Sequence, residues 1–187
     1  MIISIINFKG GVGKTPFAFS IAKDLKLDLL SNDYSSIENI YDRAKIEREP
    51  QLQDNCVYDF GGFVDKNITH ILAKSDFVIV PCKPNNNSIL QTLKTLEEVS
   101  KDNENIIVLN TDFKNDKQKK LVKDTLSSEF ENLKFFNFKH STILDNSIDY
   151  GLSFKELLKS YSNYKNFVAE YKNLLKYIKK DKKWANL

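Results

Sequence analysis

"NFKGGVGKTPFAFSIAK", residues 7–23, joins an apolar run to an amphipathic one through a gap rich in glycine and lysine. Glycines at Gly10, Gly11 and Gly13 let main-chain N–H groups curl around an anion. A helix starting directly afterwards adds its partial positive charge. Lys14 is then placed to reach the β- and γ-phosphates of a nucleotide, and the Thr15 hydroxyl to ligate Mg²⁺. Val12 and Pro16 complete the predicted phosphate-binding segment.

Outward from this loop, short apolar runs alternate with amphipathic segments. The strand candidates are residues 2–7, 27–31, 56–59, 76–82, 105–110 and 134–138. Helical spacing links Phe17, Ile21 and Leu25, then Ile89, Leu93 and Leu96, then Val122, Leu126 and Phe130. Strands apolar on both faces and separated by helices predict an α/β fold: a mostly parallel, doubly wound sheet with helices on both faces. In such a sheet ligands bind beyond the carboxyl ends of the strands. No repeat, linker or composition break divides the chain, so residues 1–187 are expected to form one P-loop ATPase domain.

Composition narrows the function classes. An apolar content of 41% supports a globular core. The net charge of +3 is too small for a chain that binds polyanions over its whole surface, so any basic patch must be local. Of 28 basic residues only Arg43 and Arg48 are arginines, which leaves charge chemistry to lysine. Cys56 and Cys82 lie in strand candidates without a CxxC pair and read as reduced core residues. No apolar run approaches the roughly 18 residues of a membrane span. The N-terminal stretch lacks the basic region of a signal peptide, so a cytoplasmic protein is expected.

The strict P-loop pattern wants glycine where Phe8 stands, and the loop instead begins with an extra lysine, Lys9. K-G-G-x-G-K-T thereby resembles the deviant Walker A motif of the ParA/MinD ATPases. The resemblance implies that Lys9 reaches across an ATP-sandwiched homodimer to the other subunit's phosphates, in place of an arginine finger. "LLSNDYSS" is similar to the family's second-strand motif, with Asp33 where the second aspartate orients the attacking water and meets the Mg²⁺ shell. "VYDFGG" is similar to the Walker B segment, with Asp59 holding Mg²⁺ through water. "IIVLNTDF" resembles the fifth strand, where Asn110 is implied as an adenine contact. The implied catalytic residues are Lys9, Lys14 and Asp33, and the implied Mg²⁺ residues are Thr15, Asp33 and Asp59.

Several positions depart from the family pattern. Ser31 replaces an aspartate, and Gly61–Gly62 stand where prolines are common. Pro16 lacks the N–H that normally helps bind the α-phosphate. Losing a charge-assisted hydrogen bond worth roughly 1.5–3 kcal/mol predicts nucleotide binding at least tenfold weaker; the alternative is a slight shift of the loop with a water in place of the N–H.

The C-terminal segment at about 161–183 reads as a basic amphipathic helix. Tyr164, Val168, Tyr171, Leu175 and Ile178 form an apolar seam, expected to dock on the sheet. Beside it run Lys165, Lys172, Lys176, Lys179 and Lys183, with six lysines against one aspartate from Lys172 onward. The stripe is either a solvated face, a phosphate-backbone footprint for non-specific DNA, or an anionic-membrane contact. The seam's role in covering the sheet speaks against the membrane. The expectation is a nucleoid-associated, ParA-like partition ATPase using ATP and Mg²⁺. It would dimerise with ATP, bind DNA through Lys172, Lys176, Lys179, Lys180 and Lys183, and be reset by a ParB-type centromere-binding protein. Alternatives are a MinD-like membrane-associated ATPase, and a nucleotide-binding module with little hydrolysis.

Overall fold

The computed structural model describes residues 1–62 and 66–180. The strands are β1 (Ile2–Ile6), β2 (Asp28–Ser31), β3 (Ala44–Ile46), β4 (Cys56–Phe60), β5 (Phe77–Cys82), β6 (Ile106–Phe113) and β7 (Lys134–Lys139). The helices are α1 (Lys14–Leu25), α2 (Ile37–Ile40), α3 (Lys66–Lys74), α4 (Asn86–Val99), α5 (Asp116–Glu129), α6 (Ile143–Asp149), α7 (Phe154–Ser160) and α8 (Lys165–Lys180). The strands form one seven-stranded sheet in the order β3-β2-β4-β1-β5-β6-β7, with every pair parallel.

The sheet is covered on both sides, which is why its strands read as unbroken apolar runs. Ile3 and Ile5 of β1 pack with α1, α6, α7 and α8 on one face. Ile2 and Ile6 pack with α3, α4 and α5 on the other. All six expected strands are present. The seventh, β3, is a three-residue edge strand beside β2, too short and too exposed to show a pattern. β6 runs past the expected Asn110 to Phe113, through a register shift between Thr111 and Phe113.

Helix starts follow from local chemistry. Asn85 caps α4 by accepting from Ser88 N, Asn115 caps α5 by accepting from Gln118 N, and Ser153 with Glu156 forms a capping box on α7. Helix α1 has no side-chain cap; it opens at Gly13, whose φ of 100° is a left-handed conformation suited to glycine. Its first N–H groups therefore remain available to a ligand.

The expected C-terminal helix is preceded by a 3-10 turn at Ser162–Tyr164, and Lys183 lies outside the described residues. The whole seam, Tyr164, Val168, Tyr171, Leu175 and Ile178, is buried. Phe167 packs on Phe138 at the carboxyl end of β7, with ring centroids 4.8 Å apart. Tyr177 packs near the amino end of β5, 6.0 Å from Phe77. Helix α8 thus runs antiparallel to the strands, along the face it covers. No described helix is long and apolar enough to cross a membrane.

Candidate nucleotide-binding site

The glycine-rich loop leaves β1, the central strand, and is pinned by buried polar side chains before it reaches α1. Asn7 Nδ2 donates to Pro81 O (2.7 Å) and Thr92 Oγ1 (2.8 Å), while its Oδ1 accepts from Lys9 N at 2.7 Å. Phe8 N donates to Thr95 Oγ1 (3.1 Å), and Thr111 Oγ1 donates to Val12 O (3.1 Å). These anchors tie the loop to β5, α4 and β6, so its conformation is held by tertiary bonds on both sides. A side chain at Gly62 would meet Phe8 O at 3.0 Å, so glycine lets the segment after β4 pass the loop closely.

A cavity of about 240 Å³ lies over the loop, walled by Gly10, Gly11, Gly13, Lys14, Thr15, Pro16, Asp33, Lys83, Leu144 and Asp145. Lys14 is buried, and its Nζ donates to Lys9 O at 3.4 Å. Burial lowers its pKa, opposed by the charges of Asp59 and Asp33. Lys9 Nζ donates to the neighbouring Gly10 O at 3.1 Å in an exposed contact, and Lys9 is not among the residues that wall the cavity.

Thr15 and Asp59 meet at the floor. Thr15 Oγ1 donates to Asp59 Oδ2 at 2.7 Å, and Ser31 Oγ donates to the same oxygen at 3.3 Å. Asp59 is 1% exposed, and its other oxygen, Oδ1, has no hydrogen-bond partner. Burial raises the Asp59 carboxyl above its usual range. A buried carboxylate oxygen without a partner, next to a hydroxyl, is the hard-oxygen donor set that suits Mg²⁺. The residues present fit that ion.

Ser31, read from the sequence as a departure, also organises the turn to Asp33, whose N donates to Ser31 Oγ at 3.2 Å. Asp33 itself is exposed on the cavity wall. Asn32 Oδ1 accepts from Gly61 N at 2.6 Å and ties the β2 turn to the one after β4.

Asn110 is placed elsewhere. It is fully buried, with Nδ2 donating to Lys119 O (3.0 Å) and Asn137 Oδ1 (3.2 Å), and it does not line the cavity. Lys172, Lys176, Lys179 and Lys180 are exposed on α8. Lys179 borders a hollow with Met1, Leu27 and Asn55, at the amino ends of the strands and far from the loop. Lys83, Leu144 and Asp145 wall the cavity without having been anticipated. Lys83 directly follows β5, the position where ligand-binding residues gather in such sheets, and that signal could have found it.

A parallel sheet whose central strand leads through a glycine-rich loop into an uncapped helix, with a buried aspartate bonded to the helix's first-turn threonine, is the P-loop NTPase fold. No family model and no curated protein matches the chain. Solved structures do. Apo McdA from Cyanothece superposes with a TM-score of 0.70 at 14% identity, covering 92% of this chain and 98% of that one. The cell division ATPase MinD of Pyrococcus furiosus gives 0.68 at 12% identity, over 94% and 98%. A Borrelia burgdorferi protein assigned to plasmid partition, bound to AMPPNP, gives 0.60 at 17% identity, over 92% and 98%. The chain has the fold of the ParA/MinD-type ATPases.

Proposed function

We propose that the protein is a ParA-like ATPase. ATP with Mg²⁺ would drive a sandwich homodimer that binds DNA without sequence preference. Slow hydrolysis, stimulated by a ParB-type partner, would release the DNA during plasmid or chromosome segregation. The observation that carries this reading is the Thr15–Asp59 hydrogen bond beneath a Gly10–Lys14 loop that Lys9 directly precedes. The AMPPNP bound to the Borrelia protein supports a nucleotide in this fold.

Thr15 and Asp59 would hold Mg²⁺, and the ion would neutralise charge on the β- and γ-phosphates. Lys14 Nζ, now on a loop carbonyl, would turn to those phosphates. Asp33 on the wall would orient water, and Lys9 would act across the dimer. The nucleotide cavity and the outer end of the lysine stripe lie at opposite ends of the sheet. ATP therefore would not touch the DNA surface; dimerisation would couple the two by doubling the stripe and the phosphates it neutralises. Burial of the α8 seam on the protein's own sheet favours this reading over a membrane-lying helix.

The test is DNA binding with ATP, ADP or no nucleotide at two salt concentrations. Binding should need ATP and fall steeply with salt. DNA binding absent from every state, in protein shown to hold ATP, defeats the partition reading.

A further inference from the structure

We propose that Lys83 is a third cation for the polyphosphate of the bound nucleotide, held back by Asp112 and released when the nucleotide arrives. The inference rests on the nucleotide-site reading and adds a residue to it.

Lys83 is the first residue after β5 and walls the same cavity as Gly10, Gly11 and Lys14. Its main chain is fixed: Lys83 N donates to Ser88 Oγ at 2.9 Å, and Lys83 O accepts from Asn85 N at 2.9 Å. The side chain is only 32% exposed and places Nζ 3.2 Å from Asp112 Oδ2. It thus stands between the cavity and a carboxylate.

Asp112 is built for that position. It lies within the β6 register shift at φ 63°, a left-handed conformation that few residues other than glycine adopt and that aspartate tolerates better than most. One carboxylate oxygen takes Lys83, and the other pairs with His140 Nδ1, just beyond β7. These contacts hold the Asp112 carboxyl below its usual range against the opposing effect of burial. If Lys83 turned to a phosphate, His140 would remain on Asp112, so the carboxylate would not be stranded. The exchange leaves Asp112 a hydrogen-bond partner at a partly exposed position where water can reach the freed oxygen, which makes it accessible.

The composition gives this cation a purpose. Neither arginine of the chain lines the cavity, and two carboxylates, Asp33 and Asp145, do. A triphosphate entering there needs lysines, and Lys83 is the one supplied from outside the loop.

The test uses Mg²⁺-dependent binding of a fluorescent ATP analogue to the full-length wild type, K83Q, K83R, D112N and K14A. K83Q should weaken binding about tenfold, the loss of one charge-assisted contact, and should flatten its salt dependence. K83R should restore most of the affinity, which a role in packing alone would not explain. D112N, which frees Lys83, should bind several-fold more tightly. Wild-type-like affinity in K83Q alongside a loss in K14A overturns the inference while leaving the nucleotide site intact. Weakening in D112N as large as in K83Q makes the pair a structural clamp and overturns the release step. Failure of the wild type to bind the analogue overturns both readings.

Discussion

Thr15 donates its hydroxyl proton to Asp59 across 2.7 Å, joining the first turn of α1 to the penultimate residue of β4. The two sit 44 positions apart in the chain, and parallel pairing of β1 with β4 brings them together. The contact engages one Asp59 oxygen while leaving the other, Oδ1, buried without a hydrogen-bond partner.

Because burial raises the Asp59 carboxyl, its charge costs stability where no cation offsets it. Asp59→Asn should stabilise the nucleotide-free protein by about 1 kcal/mol while abolishing Mg²⁺-dependent ATP hydrolysis. Thermal melts and a phosphate-release assay on the same preparation check both halves. A destabilised variant would show that the charge is already compensated.

Pro16 occupies the third helical position of α1 and lines the cavity. Its missing N–H costs the helix nothing in the first turn but leaves one fewer donor facing a ligand. Pro16→Thr should tighten ATP binding about tenfold. Titration calorimetry giving equal dissociation constants would refute the role assigned to proline.

Asp24 gives the stability a pH dependence. Burial raises its carboxyl, only partly opposed by the Ser153 hydroxyl that donates to Oδ1 at 2.9 Å. A carboxyl raised in the folded state favours folding while protonated. That contribution is full below the unfolded pKa and is lost as pH rises through the folded value. Denaturant midpoints for the wild type should therefore fall across that acidic window, whereas those of Asp24→Asn should stay flatter and lie higher at neutral pH. Parallel pH curves for the two proteins would remove Asp24 as the cause.

The two faces of α8 should separate cleanly. Ile178 is fully buried, so Ile178→Ala should cost about 2–5 kcal/mol in urea unfolding. Exposed Lys172 and Lys176, replaced together by alanine, should change stability by about 0.5 kcal/mol or less yet weaken DNA binding and reduce its salt slope. DNA affinity unchanged in that double variant would make the stripe a solvated face.

The glycine-rich strand-to-helix loop was legible because it is contiguous: Lys9 to Thr15 need only glycine's backbone freedom and a following helix, both local properties. The strands were legible because a sheet covered on both faces demands unbroken apolar runs, and the α8 seam because helical period is written into spacing. Strand β3 was not, since three half-exposed edge residues carry no period. The site was legible only in part. Lys83 carries the local signal of a position directly after a strand, whereas Leu144 and Asp145 reach the cavity from α6 and nothing local to them shows it. Asn110 shows the reverse: it lies in a strand aimed at the site, yet its Nδ2 donates to Lys119 O and Asn137 Oδ1 and it does not line the cavity.

The sequence by itself thus determined six strands, the helices α1, α4, α5 and α8, and the glycine-rich loop, because backbone freedom and apolar period act within a few residues. The tertiary structure alone decided which distant side chains share the cavity and which are spent in the interior. Strand order and register set those distances, and both are properties of the whole packed sheet.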